Sequence, residues 1–119
     1  MQYLLLIYEN ERLYDDLSPE QLGNVLQEYG AFTEAIKASG HLRGGEALEP
    51  TAKATTVRVR DGKTLTTDGP FAETREQLGG YYLVEAADLD EAIKLAARIP
   101  GARVGSIEIR PVMVFDQGA

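Results

Sequence analysis

The stretch QYLLLIY, residues 2–8, is a short continuous apolar run that ends at the polar residues Glu9, Asn10 and Glu11. This pattern is typical of a central β-strand that is buried on both faces. Side chains alternate along a strand, so the odd-numbered residues from Tyr3 should share one face and the even-numbered residues up to Tyr8 the other. Both faces of the sheet that contains this strand therefore need a cover.

A long amphipathic helix is predicted after this strand. Ser18 is a suitable N-cap, Pro19 suits the first helical position, Gln21 can complete a capping box, and Gly40 suits the position just beyond the helix end. Apolar residues recur at helical spacing and form the expected buried stripe: Leu22, Val25, Leu26, Tyr29, Phe32 and Ile36. We expect Tyr29 and Phe32 to belong to the core.

The remaining elements complete an α+β pattern. Strands are predicted at residues 41–48, 55–60, 63–67, 80–86 and 105–115, with Asp61-Gly62 as the turn of a hairpin. Asp88 and Glu91 predict a capping box for a second helix, which Pro100-Gly101 stops. The expected buried stripe of that helix is Leu89, Ala92, Ile93, Ala96 and Ile99.

Without residues 50–78, the order of elements is βαββαβ, the ferredoxin-like unit, with a hairpin inserted. Helices in this unit cover one face of the sheet only, so the apolar character of the other face predicts a second copy of the chain as its cover. We expect a single domain over residues 1–119 that forms a homodimer.

Composition excludes several classes of function. Nineteen acidic residues against twelve Lys and Arg give a net charge of −7, which argues against nucleic acid and anionic membranes as partners. The chain has no cysteine and one histidine, so neither a cysteine site nor a histidine-rich metal site can form. No P-loop or GxGxxG motif is present, and we expect no cofactor. The absence of a basic n-region and of a long apolar segment predicts a cytoplasmic location.

The stretch TDGPFAETREQLGG, residues 67–80, resembles a ligand site more than any other part of the chain. Asp68, Gly69 and Pro70 predict a stiff corner, and acids with a guanidinium follow it, an arrangement that suits a pocket wall. Alternatively, Asp68 caps a short helix that ends at Gly79, with a solvated charged face.

Three further polar residues are candidates for function. If Ile107 and Ile109 face the helices, Glu108 and Arg110 point to the opposite face, where they form either a polar pocket floor or a structural salt bridge. His41 is either an acid or base or, more simply, a capping residue. Residues 43–75 carry a net charge of +1 and residues 1–28 carry −5, so a pocket near the middle segment would favour an anionic metabolite.

The DGPF motif at residues 68–71, the run AETREQLGGYYLVEA after it and the later GSIEIRPV resemble the DGPF domain proteins of the YCII-related family, over nearly the whole chain. The resemblance implies a dimeric α+β barrel. Relatives on this scaffold include lactone isomerases and a dehalogenating lyase, and members are often encoded beside extracytoplasmic-function sigma factors. Two features depart from the family pattern: the first helix has no histidine, and Arg75 replaces a lysine, which excludes Schiff-base chemistry at that position.

Two functional hypotheses follow. In the first, the protein is a lyase or isomerase that binds a small anionic metabolite in a dimer-associated cleft. Asp68 is then the base and Glu73 or Glu108 the second acid, with ligand contacts from Arg75, Arg110, Tyr8 and Gly69. In the second, the protein is a non-catalytic ligand-sensing or regulatory module linked to a sigma factor.

Overall fold

The computed structural model describes residues 1–115 and shows an α+β fold. Its strands and long helices are β1 (Gln2–Glu9), α1 (Pro19–Ala38), β2 (Leu42–Ala47), β3 (Thr55–Arg60), β4 (Lys63–Asp68), β5 (Gln77–Glu85), α2 (Leu89–Ala97) and β6 (Ser106–Pro111). Three short 3-10 helices lie at Glu11–Tyr14, Thr51–Lys53 and Pro100–Arg103.

The main sheet has four antiparallel strands in the order β2-β5-β1-β6, which is the order of a ferredoxin-like unit. The apolar run at residues 2–8 is an interior strand, as predicted, because β1 pairs with β5 on one side and β6 on the other. Strands β3 and β4 form a separate two-stranded sheet, the inserted hairpin. Asp61 and Gly62 both have positive φ, at 51° and 74°, so the predicted two-residue turn is confirmed.

The two faces of β1 have different environments. Its odd-numbered residues are buried against both helices, in a core that includes Phe32 and Ile36 of α1 and Leu95 of α2. The even-numbered residues are half-buried, on the face that carries no helix. Helices therefore cover one face of the sheet, as predicted. The pairing of the other face with a second copy stays a prediction.

Helix α1 begins and ends as its sequence predicts. The Ser18 side chain accepts from the Gln21 N–H and the Gln21 side chain accepts from the Ser18 N–H, which completes the capping box. Gly40 has φ of 81° just beyond the helix. The predicted stripe is buried only in its second half, because Leu22 and Leu26 remain 40% and 62% exposed. The first half of α1 borders a cavity, described below, in place of the core.

The buried face of helix α2 coincides with the predicted apolar stripe in part. Leu95 is buried, whereas Leu89 and Ile93 are about half exposed. The buried positions are Ala92, Leu95, Ala96 and Ile99, which follow the i, i+3, i+4, i+7 spacing of a single helical face. The predicted stripe is confirmed at Ala92, Ala96 and Ile99 and wrong at Leu89 and Ile93. The buried face is rotated toward Leu95, which is buried in place of Ile93.

One of the two hydrogen bonds of the capping box predicted for α2 is present. The Asp88 side chain accepts from the Glu91 N–H, as an N-cap does. The Glu91 side chain accepts from the Ala87 N–H and contacts His41, in place of the Asp88 N–H.

Strand β6 is shorter than predicted and ends at Pro111. No helix within residues 1–115 combines the length and the apolar character needed to cross a bilayer.

Candidate functional site

A cavity of about 590 Å³ lies between the first half of α1 and the helix-covered face of β2 and β5. We name it the Glu9 cavity after the acidic residue at the end of β1. Apolar side chains of α1 form one wall, among them Leu22, Val25 and Leu26, and backbone of β2 and β5 around Gly45 and Gly80 forms another.

Glu9 is the buried charged residue of this region, with 6% of its surface exposed. One carboxylate oxygen accepts from the Tyr29 hydroxyl at 2.9 Å and the other accepts from the Tyr14 hydroxyl. A buried carboxylate is strongly unfavourable unless it receives such bonds, so the two phenols are what allow Glu9 to lie here.

Three elements bring these groups together. Tyr29 lies on α1, one turn before the buried Phe32. Tyr14 ends the 3-10 helix Glu11–Tyr14, which Asn10 caps by accepting from the Arg12 N–H. Because Glu9 is the last residue of β1, the chain turns directly from the strand into the helix that carries one of its partners.

Two glycines make room for the Glu9 side chain. A Cβ at Gly101 would lie 2.3 Å from Glu9 Oε1 and 2.8 Å from the Tyr29 hydroxyl oxygen. A Cβ at Gly105 would lie 2.1 Å from the Tyr8 carbonyl oxygen and 3.0 Å from Glu9 Cγ. Neither position can hold a side chain without movement of its neighbours. At Gly105 the close atom belongs to the backbone, whereas at Gly101 the ends of the Glu9 and Tyr29 side chains would have to move.

The two tyrosines are held in their protonated form. Burial, reinforced by the hydrogen bond to Glu9 and its charge, raises the pKa of Tyr14 well above its usual range. Burial, followed by the charge of Glu9 and the bond to it, raises the pKa of Tyr29 still further. Each phenol therefore donates a hydrogen bond to Glu9 and keeps its proton. The backbone N–H of Gly101 donates to the Tyr29 oxygen and partly opposes the rise of its pKa.

The charged residues that line the Glu9 cavity, among those that the structure describes, are all acidic. Its titratable carboxylates are Glu9, Glu11, Asp15, Glu46 and Glu49, and among the described residues no Lys, Arg or His lines it. A wall of this charge attracts cations and disfavours anions. Within residues 1–115, no group of three or more acidic or histidine side chains is arranged to hold a metal ion.

A second cavity, of about 220 Å³, lies on the other side of the same residues. It is bounded by the 3-10 helix Pro100–Arg103 and by Leu13 and Leu17, and it shares Glu9, Tyr14 and Tyr29 with the larger cavity. The hydrogen-bonded group of one carboxylate and two phenols thus forms a partition between two spaces.

The edge of the Glu9 cavity is tied to the start of the inserted hairpin. Glu11 accepts from the Thr51 N–H at 3.0 Å and from the Thr51 hydroxyl at 2.5 Å. These two bonds lower the pKa of Glu11, because they favour its charged form.

The site residues predicted at the DGPF corner, Asp68, Gly69, Glu73 and Arg75, lie outside both cavities. The end of the same stretch, residues 77–80, lines the Glu9 cavity. Asp68 ends β4 and is exposed, and Gly69 follows it with φ of 104° and donates its N–H to the Ala54 carbonyl. Glu73 and Arg75 are exposed on the irregular segment that leads to β5. The alternative of a short helix from Asp68 to Gly79 is wrong, because β5 already begins at Gln77.

Tyr8, Glu108 and Arg110 share the face of the sheet that carries no helix. Glu108 pairs in register with Leu6 and Arg110 with Leu4, both on the even-numbered face of β1. Glu108 and Arg110 point away from the helices, as predicted, but both are exposed, and neither belongs to an ion pair within residues 1–115. The single chain therefore contains neither the buried salt bridge nor the enclosed pocket floor that we considered.

The side chain of His41 contacts a residue at the end of each of the two helices. Its Nδ1 lies 2.6 Å from Ser39 Oγ and its Nε2 lies 3.0 Å from Glu91 Oε1. These contacts join the end of α1 to the start of α2. His41 lines neither cavity, so its position favours the capping role over the acid or base role.

Glu9 was missed because its sequence context resembles the polar end of a strand. One signal was present: Glu9 continues the odd-numbered, buried face of β1 after Tyr3, Leu5 and Ile7. An acid in that series implies a buried partner. The identity of the partners, Tyr14 and Tyr29, required the fold.

The chain is similar to known proteins over almost all of its length. The family model of the YCII-related domain matches residues 1–116. An uncharacterized protein of Rhizobium meliloti (strain 1021) is 38% identical over 120 residues, which cover 99% of this chain and 97% of that protein. The chain therefore belongs to the YCII-related family.

Proposed function

We propose that this YCII-related protein binds a small, largely apolar molecule in the Glu9 cavity and that Glu9 acts on it as an acid or base, in a lyase or isomerase reaction. The observation that carries the proposal is the buried Glu9 carboxylate, held on both oxygens by phenols and placed against a cavity. An acidic side chain that is buried against a cavity is a candidate acid or base because a molecule bound there lies within its hydrogen-bond reach.

The charge of the cavity selects the class of ligand. Five carboxylates and no basic side chain line it within the described part of the chain, so a neutral or cationic ligand fits better than the anionic metabolite that the sequence suggested. The apolar wall from α1 suits a hydrocarbon body. A hydroxyl, amide or amine group on the ligand would donate to the phenol oxygens.

The chemistry follows from the same three side chains. Glu9 is the base that accepts a proton from the substrate. As its charge is neutralised, Glu9 becomes a weaker acceptor, and the Tyr29 hydroxyl is free to turn from it toward an oxygen of the substrate on which negative charge develops. Tyr29 stays protonated throughout, in keeping with its raised pKa, so it acts as a hydrogen-bond donor and Glu9 carries the proton.

A second candidate function, ligand sensing without turnover, is favoured by one feature of the site. Both oxygens of Glu9 already accept from phenols, so the group is satisfied in the absence of a substrate. A ligand that binds the outer side of the phenols would then stabilise the fold and leave Glu9 untouched.

A thermal-shift screen of small amines, alcohols, lactones and carboxylic acids tests the site. A ligand at a hundred times its Kd adds about 2.7 kcal/mol of stability, which is a shift of several degrees for a domain of this size. Each variant is compared with its own ligand-free Tm. We expect the shift to shrink in Tyr29→Phe and Glu9→Gln and to persist in Asp68→Asn, the matched control at the DGPF corner.

Turnover of the hits separates the two functions. Loss of turnover in Glu9→Gln at ligand concentrations that saturate the variant identifies the acid or base, whereas binding without turnover in the wild type favours sensing. If the ligand-induced shift in Tm were lost in Asp68→Asn and kept in Glu9→Gln, the proposed site would be refuted, and the ligand would be placed at the DGPF corner instead.

A further inference from the structure

The inserted hairpin projects from the rest of the molecule without a cover. We name residues 53–68 the arm; they contain the two-stranded sheet of β3 and β4. Val57, Val59 and Leu65 of the arm are 59%, 59% and 49% exposed, and Phe71 at its base is 77% exposed. The radius of gyration, 16.8 Å, exceeds the roughly 13.5 Å of a compact chain of this length, which agrees with an extended arm.

A hairpin of this kind is poorly stable by itself. Isolated two-stranded hairpins are marginal in water, and they need a third strand or an apolar surface to pack on. The side-chain hydrogen bonds of the arm within residues 1–115 are local: Thr56 and Arg58 donate to the Gly69 and Phe71 carbonyls at its base. Arg60 donates to the adjacent Val59 carbonyl, and Lys53 donates to Glu49, just before the arm. The apolar side chains of the arm therefore require a surface that residues 1–115 of the same chain do not supply.

The outer edge of the Glu9 cavity also has apolar side chains without a cover in the described residues. Its outer edge exposes Leu22, Leu26 and Leu48, at 40%, 62% and 47%. No residue between 51 and 76 lines this cavity, so the arm does not close the cavity of its own chain. The hydrogen bonds from Thr51 to Glu11 hold the chain just before the arm beside this edge.

The charges of the two surfaces match. The arm holds four bases, Lys53, Arg58, Arg60 and Lys63, against two acids, Asp61 and Asp68, so its net charge is +2 in a chain of net charge −7. The cavity wall holds five carboxylates and, in the described residues, no base. One of the five, Glu49, pairs with Lys53 of the same chain at 3.4 Å, so four carboxylates and three bases remain for the contact between copies. A basic arm and an acidic cavity on the same chain attract one another between two copies.

We propose that the arm of one copy lies over the Glu9 cavity of a second copy and closes it, and that the exchange is mutual. A two-fold arrangement satisfies both arms and both cavities at once, as symmetric dimers do. Val57 and Val59, which share one face of the arm, pack on Leu22 and Leu26 of the other copy. Arg58, Arg60 and Lys63 lie on the opposite face of the arm and attract the acidic wall at longer range. This inference rests on the proposed function, since it completes the same site.

Disulfide trapping tests the contact directly, because the natural chain has no cysteine. Val59→Cys and Leu26→Cys are made as separate proteins, mixed and oxidised, so that every link between residues 59 and 26 joins two copies. Ala97→Cys, at an exposed position of α2 that lines neither cavity, replaces Leu26→Cys in the control mixture. We expect a linked species of twice the 13.0 kDa chain mass, at least about tenfold more abundant than in the control.

Light scattering supplies the second measurement. The wild type should have the mass of a dimer, and Val57→Glu with Val59→Glu should raise the dissociation constant at least about tenfold, because it places carboxylates against an acidic, apolar surface. A monomeric wild type, or a dimer that cross-links no better than the control, overturns the proposal. Neither measurement uses a ligand, so failure here is distinct from failure of the Glu9 screen.

Discussion

Replacement of Gly101 by alanine tests whether Glu9 is fixed as tightly as its contacts indicate. The backbone of Gly101 lies in a 3-10 helix without a positive φ, so alanine is compatible with the local conformation. The added Cβ, however, would lie 2.3 Å from Glu9 Oε1 and 3.1 Å from Ile7 Cγ2. Glu9 must move away, and its hydrogen bond from Tyr29 is broken or distorted.

The expected loss follows from that bond. A hydrogen bond to a charged group contributes about 1.5–3 kcal/mol, so the free energy of unfolding should fall by about that amount. An unfolding entropy of about 2.1 cal/mol/K per residue converts this loss into a decrease of roughly 6–12 °C in Tm for a chain of this length. Calorimetry or circular dichroism measures the change.

Gly30→Ala is the matched control. Gly30 lies within α1, and a Cβ there would meet nothing within 4 Å. The substitution should raise stability by up to about 1 kcal/mol, because alanine is the better helix former. If Gly101→Ala were neutral or stabilising, as expected for Gly30→Ala, Glu9 would not be confined. A Glu9→Ala background removes the shortest contact and leaves those with the Tyr29 hydroxyl oxygen at 2.8 Å and Ile7 Cγ2 at 3.1 Å, so Gly101→Ala should then cost less than in the wild type.

Three further predictions concern titration and capping. Above pH 10.0, the ordinary tyrosine pKa, the unfolded chain loses phenol protons that Tyr14 and Tyr29 retain in the folded state, so stability falls as pH rises, by up to about 1.4 kcal/mol per pH unit for each. Tyr29→Phe should flatten that slope in denaturant titrations at alkaline pH, and an unchanged slope would contradict the raised pKa. Glu11 has a lowered pKa in the folded state, so its stabilisation is present above its ordinary value of 4.5 and is lost as pH falls through the folded value. Glu11→Gln should therefore reduce the acid dependence of Tm, and equal profiles would exclude a role for its bonds to Thr51. Ser18→Ala should cost about 1 kcal/mol through loss of the N-cap, and calorimetry that shows no decrease in Tm would argue against the capping box.

The local features of the chain were readable from the sequence because their causes are local. The strand in the apolar run of residues 2–8, the Ser18 cap and the Asp61-Gly62 turn each depend on neighbouring residues, and each is confirmed. The βαββαβ order then left few ways to pair the strands, so the ferredoxin-like sheet followed as well.

The candidate site was decided by contacts between residues that are distant in sequence. Glu9 is bonded by Tyr29, twenty positions away, and is accommodated by Gly101, more than ninety positions away. Single-sequence patterns contain no information about such pairs, whereas the dense charges around Asp68 and Arg75 are conspicuous in sequence and lie exposed in the fold. The sequence thus determined the strands, the helices and the sheet, while the tertiary structure determined which carboxylate is buried, because burial depends on what packs against it.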